Sequence, residues 1–408
     1  MADTEKIDQD AVLRARVLLL GSGRLSTWEC VGAYRVLARV SPRAYLPRLM
    51  DALLGRGYEL DDPEVRVRLF AEAVDAARRI EGDARPGRLA RALGAYERAL
   101  FAAGRRAEGR AVCEESAGAG AYGRLALVLA EEGRHAEAAA LYGRHVGREG
   151  ADASEWSLIE WAAELDAAGR REEALEVFAR LVADRRRGAR EDRAPLASLV
   201  WMVAHHAGML LAAGRPAEAA EARREALTVL TRLASEGEPV SWSNIQAWWV
   251  TLFVLSGRPD EPAATADAPM PPFGAYVVHG WSPDTRESYV ASIPSFEREV
   301  AALRASGDLR GLVTVQRRLT LRRALRWETE GRRAEETLRP VLDEGVALAR
   351  RLPGDEPSAL ARALTDRALF LLAVKRYADA RRDFAEAVAL QDGPARPVSP
   401  ISHPTSQK

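Results

Sequence analysis

The sequence predicts an all-α protein, an α-solenoid of antiparallel helix hairpins, on three observations. Ala, Arg, Leu and Glu dominate, while β-branched and aromatic side chains are sparse, a mixture that favours helix on propensity alone. The 408 residues are too many for one ordinary globular core, and a stacked array escapes that limit because each unit buries its faces against its neighbours. A short phrase built around a turn glycine also returns along the chain, as internal repeats do.

In chain order, residues 1–85 are helical but lie outside the clear repeat. Periodicity and breakers place helices near 8–20, 26–39, 42–55, 62–80 and 86–103. Ser41 before Pro42, and Asp62 before Pro63, have the form of an N-cap followed by proline at the first helical position. This region is expected to cap the N-terminal end of the array.

The repeated phrase reads LFAAGRRAEGRA around Gly104, LAEEGRHAEAAA around Gly133, LDAAGRREEALE around Gly169 and LLAAGRPAEAAE around Gly214. Weaker copies surround Gly257 and Gly331, and a last one, LLAVKRYADARR, has Lys375 in the glycine position. Each reads as a helical hairpin in which one helix ends, a left-handed glycine turns the chain and the next helix begins. Small residues fall five positions after the turn (Ala138, Ala174, Ala219, Ala380) and seven before it (Ala126, Ala162, Ala207, Ala324, Ala368), where they allow close helix approach. Bulky residues fall four before it, among them Leu129, Leu165, Leu210, Phe253 and Leu371.

This pattern resembles the tetratricopeptide repeat (TPR) family over residues 86 to 390, and the whole chain is similar to uncharacterised TPR-like proteins of actinobacteria. The resemblance implies a right-handed superhelix with a concave groove that binds protein segments. It departs from the family in spacing. Successive turns are 29, 36, 45, 43, 74 and 44 residues apart, against a family period of about 34. Pro262 and Glu336 stand where the Gly257 and Gly331 copies should have a small residue.

The 74-residue interval contains a Pro-rich insertion, 258–283. It divides TPR-like repeats at 86–257 from C-terminal repeats at 284–390, and loops of this length are usually functional or disordered. Residues 391–408 read as a disordered tail.

Charge and motif exclude several functions. The 59 basic and 59 acidic residues cancel, so neither duplex nucleic acid nor an anionic membrane is an expected partner. Cys30 and Cys113 form no ligand spacing or disulfide framework, and the polar N-terminus lacks a signal peptide's pattern, so a cytoplasmic protein is expected. Leu196–Ala213 is the most apolar stretch and reads as a core helix rather than a membrane span. The adjacent His205 and His206 point about 100° apart on a helix, which suits packing rather than chelation. No metal, cofactor or nucleophile pattern is present, and the chain is read as no enzyme.

The TPR resemblance places the residue thirteen before each of the last five turns on the groove: Trp156, Trp201, Asn244, Arg318 and Arg362. Neighbouring groove positions, including Ile159, Ala163, Ala204 and Gly208, are apolar or small, unlike the Lys and Asn with which family members clamp a carboxylate. Trp248 is placed near the groove centre. Arg318 and Arg322 share a helical stripe with Arg326, either contacting an acidic partner or solvated beside glutamates. An exposed apolar groove calls for an occupant: a peptide or protein segment, a second copy of the chain as a homodimer, or the insertion itself, with Phe273, Tyr276 and Trp281 as plugs. The expected function is a non-catalytic scaffold or adaptor. A peptide- or ligand-responsive regulator is the alternative, and an enzyme on a helical-repeat scaffold is a distant third.

Overall fold

The computed structural model describes residues 8–21, 25–118, 120–150, 153–240, 245–276, 280–330, 334–353 and 357–392. The described chain is all-helical, without strands. It divides into two compact units. The first comprises residues 1–145, 265–271 and 281–288, and the second 146–264, 272–280 and 289–408.

In the first unit α1 (Gln9–Leu20), α2 (Thr27–Val40), α3 (Pro42–Tyr58), α4 (Pro63–Arg78), α5 (Arg85–Ala102), α6 (Arg106–Gly118) and α7 (Tyr122–Glu131) follow one another. Through α7, each packs on the next in sequence. Ser26 and Glu29 form a reciprocal capping box at α2, and Asp62 accepts from the amides of Glu64 and Val65 at α4. Ser41 precedes Pro42 as expected but makes no side-chain cap. Its backbone carbonyl accepts from Ala44 and Tyr45 instead. Helix α8 (His135–Glu149) runs from the first unit into the second.

The second unit contains α9 (Glu155–Ala167), α10 (Arg171–Arg190), α11 (Leu196–Ala212), α12 (Pro216–Glu236) and α13 (Ile245–Ser256). After the insertion come α14 (Pro283–Ala291, begun in the first unit), α15 (Ile293–Ser306), α16 (Leu309–Glu330), α17 (Ala334–Ala349), α18 (Pro357–Ala373) and α19 (Tyr377–Asp392).

Five copies of the repeated phrase share one backbone geometry. Gly104, Gly133, Gly169 and Gly214 adopt φ between +70° and +79°, and Lys375 adopts +62°. The next residue's amide reaches back five positions, as in Arg134 N to Leu129 O (2.8 Å), Arg170 N to Leu165 O (2.9 Å) and Arg376 N to Leu371 O (2.8 Å). This bond satisfies a carbonyl that the helix end would orphan. The recurring arginine then forks onto a carboxylate three residues on, as in Arg134–Glu137, Arg170–Glu173 and Arg215–Glu218. Each recurring alanine is at most 1% exposed, which is how facing helices come close.

Gly257 breaks the pattern. Its φ is −90° and a short 3-10 turn, Arg258–Asp260, follows in place of a helix. A Cβ on Gly257 would lie 2.2 Å from Leu321, so this glycine serves close helix packing rather than a hairpin turn. The Gly331 turn lies outside the described residues, as do residues 393–408 of the expected tail.

Packing in the second unit goes beyond sequence neighbours. Helix α11 contacts α18, and α12 contacts α19. Helix α13 is inserted among α11, α16 and α18, and every residue from Ala247 through Leu255 is buried. Its sequence, AWWVTLFVL, is apolar on all sides because it has no solvent face. Among the described residues, no helix is long and apolar enough to cross a membrane.

Candidate binding site

A cavity of about 520 Å³ opens inside the second unit. One wall is the face of α11 that carries Trp201, Ala204, His205 and Gly208, residues three or four apart and therefore aligned. Helix α9 supplies Ile159 and Ala163, α10 supplies Phe178, and α13 supplies Trp249, Leu252 and Phe253. Thr365 and Leu369 of α18 close the other side. Trp201 donates from Nε1 to the Leu369 carbonyl at 3.0 Å, fixing both its ring and the approach of α11 to α18.

Most polar groups in the wall are already engaged. Arg258 donates to the Ala163 carbonyl at 2.6 Å. Arg317 donates to Asp366 at 2.7 Å, Asp260 at 3.0 Å and Ser256 Oγ at 2.8 Å. Burial works to lower the Arg317 pKa, but the charges and hydrogen bonds of Asp366 and Asp260 together outweigh it and raise it, so it stays charged. Arg223 pairs with Asp392.

His205 and Arg362 differ from these. Burial, then the neighbouring His206, push the His205 imidazole down to about 4. It is therefore neutral near pH 7, with one donor and one acceptor. Its ring packs 5.1 Å from that of Phe178, and among the described residues it forms no hydrogen bond. Arg362 is 54% exposed, and its ion pair is a long 3.6 Å contact with Asp260.

Six of the residues expected on a groove, Ile159, Ala163, Trp201, Ala204, Gly208 and Arg362, line this cavity. Trp156 and Trp248 do not. Their rings pack against each other at 4.3 Å, tilted by 33°, and Tyr276 of the insertion packs on Trp156 at 4.7 Å. The Arg185 guanidinium lies over Trp248 at 5.3 Å and is paired to Glu155. Asn244 lies outside the described residues.

The stripe of Arg318 and Arg322 faces neither solvent nor an outside acid. Glu261 of the insertion accepts two hydrogen bonds from Arg322, at 2.7 and 2.9 Å, and one from Arg318 at 3.1 Å. The Arg322 guanidinium also sits between the rings of Tyr289 and Phe296, 4.0 and 4.1 Å away. Burial works to raise the Glu261 pKa, but the hydrogen bonds and charge of Arg322 and Arg318 outweigh it and hold the carboxylate below its ordinary value. The insertion thus supplies the counter-ion that takes Arg318 and Arg322 inward, while Arg326 of the same stripe is exposed.

The expected plugs divide between the units. Phe273 and Tyr276 belong to the second, where Phe273 is buried and packs edge-on to Tyr289. A Cβ on the neighbouring Gly274, at φ +96°, would come 2.6 Å from Ala163. Trp281 is buried in the first unit. There Glu131 anchors the same segment, accepting from Ser282 N at 2.7 Å, Thr285 Oγ1 at 3.1 Å and Arg106 at 2.6 Å. Nearby, burial and Glu97 raise the Cys113 thiol far above its ordinary range, which leaves it protonated and unreactive.

The cavity therefore offers wide apolar walls, one neutral imidazole, one loosely held guanidinium, the Asp166 carboxylate with a 4.0 Å contact to Arg171, and ion pairs turned inward. It can accept an apolar body and hydrogen-bond a few polar atoms. No family model matches the chain, and no curated protein matches it significantly in sequence.

Proposed function

We propose that this chain is a non-catalytic, TPR-like helical-repeat scaffold or adaptor of the cytoplasm. In this reading it holds a peptide or protein segment by burying apolar side chains in the cavity of the second unit. The observation that carries it is the cavity's wall, where Trp201, Trp249, Phe178 and Phe253 surround a space of about 520 Å³. Preformed apolar sites with a few polar groups typically span about 300–1,000 Å³, and buried aromatics supply most binding energy where they meet a partner. The TPR-like assignment rests on the repeated turn, with its left-handed residue and five-residue backbone bond.

A second reading, a peptide- or ligand-responsive regulator, is favoured by the source of part of the wall. Arg258, Pro259 and Asp260 come from the irregular insertion, so an occupant would touch the same segment whose Glu261 pairs with Arg318 and Arg322.

Gly208 gives a direct test. It lines the cavity on α11, and a Cβ there meets nothing within 4 Å. Replacing a mid-helix glycine also favours the helix, so Gly208→Phe fills the space with little risk to folding. Gly/Ser decapeptides bearing a single Trp, Phe or Leu are titrated by calorimetry. The reading expects at least one to bind, with an affinity at least tenfold weaker for Gly208→Phe. Failure of all to bind, or equal binding by the variant, rejects it.

A further inference from the structure

A smaller cavity of about 180 Å³ lies beside the first. The two share five wall residues: Phe253, Asp260, Arg317, Arg362 and Asp366. Beyond this partition the smaller space is lined by aliphatic side chains of α16 and α17, among them Val313, Val341 and Leu342, and by Gly345. A polar ridge thus separates a large aromatic cavity from a small aliphatic one.

The ridge is balanced in charge, with two guanidiniums and two carboxylates. Arg317 is saturated by Asp366, Asp260 and Ser256. Among the described residues, Arg362 has no charged partner closer than Asp260 at 3.6 Å. The contacts with Asp260 fall on Oδ2, leaving Oδ1 able to accept. The ridge therefore presents a donor and an acceptor side by side with little net charge. An isolated carboxylate would find Arg362 but also meet Asp260 and Asp366, and an ammonium would meet Arg362 and Arg317. A neutral amide, with one N–H and one C=O, matches both groups.

Resting on the proposed binding role, we infer that the segment held here is an uncharged two-anchor peptide. A large aromatic side chain fills the Trp201 cavity, a smaller aliphatic one fills the Gly345 cavity, and the intervening backbone amide crosses the Arg362–Asp260 ridge. Two linked anchors bind more tightly than one because the second enters without a separate loss of translational freedom.

The test compares Gly/Ser decapeptides carrying one Trp with peptides carrying Trp and Leu separated by zero to three residues, and with the same series in which Glu replaces Leu. Gly345→Phe blocks the small cavity, since a Cβ at Gly345 also meets nothing within 4 Å. At one spacing, the Trp–Leu peptide is expected to bind at least tenfold more tightly than the Trp peptide, with no gain for Trp–Glu. Gly345→Phe is expected to abolish that gain while leaving single-Trp binding unchanged. If Trp alone binds and no spacing of Leu improves it, or if Gly345→Phe keeps the gain, the two-anchor inference is overturned and the binding role stands. If no peptide binds the native protein, both are overturned.

Discussion

His205 shows how burial sets one residue's chemistry. Its imidazole sits on the cavity wall, and burial with His206 beside it lowers its pKa from 6.5 to about 4. The unfolded chain takes up the proton first as pH falls, so the contribution of neutral His205 to stability is complete above pH 6.5 and lost between 6.5 and 4. A shift of that size corresponds to roughly 3 kcal/mol. Urea unfolding of His205→Leu at pH 7 and pH 4.5 should show a flatter pH dependence than the native protein. A smaller slope should remain from His206, itself lowered by burial and by Arg186. An unchanged slope would mean that His205 is open to water in the folded state.

At the scale of elements, the hairpin turn shows which part of the repeat is backbone and which is side chain. Lys375 occupies the left-handed conformation that Gly104, Gly133, Gly169 and Gly214 take in their copies, and the Arg376 N to Leu371 O bond still forms. The turn therefore survives loss of the glycine at the expense of strain, roughly 1 kcal/mol for a residue with a Cβ. Lys375→Gly should raise stability by about 0.5–1 kcal/mol, the gain being reduced by the freer unfolded chain. The midpoint of urea unfolding checks this, and a lower midpoint for the variant would contradict it. The Gly257 copy shows the converse. It keeps the glycine, but Pro259 and Pro262 follow and no hairpin forms.

At the scale of the second unit, the contacts of α11 with α18 and of α12 with α19 make its middle helices and its last two interdependent. In an array with neighbour contacts only, removing the last pair would disturb the end of the array. Here, deleting residues 357–408 removes the carbonyl that Trp201 bonds and the Asp392 partner of Arg223. Hydrogen exchange should show protection falling in α11, about 145 residues before the cut, as well as in α17. Unchanged protection in α11 would show that its stability is local.

Helices, caps, hairpin turns and the close-packing alanines were legible because each depends on residues within a few positions of one another. One face of the cavity was legible for the same reason. Ile159, Ala163, Trp201, Ala204 and Gly208 were placed together by their distance from the turn, and His205 could have been added as the fourth residue after Trp201. The opposite wall was not legible. Asp366 and Leu369 reach the site only because α18 returns to α11, and no local pattern encodes a contact between residues more than 150 positions apart. The fate of the charges was also tertiary. Spacing put Arg318 and Arg322 on one stripe, but whether that stripe faces water, a partner or the interior depended on where the insertion delivers Glu261. The sequence by itself determined an all-helical chain with a recurring turn and an apolar face. The tertiary structure decided what meets that face, because a contact between distant segments depends on where the chain returns, which is a property of the whole packing rather than of any local pattern.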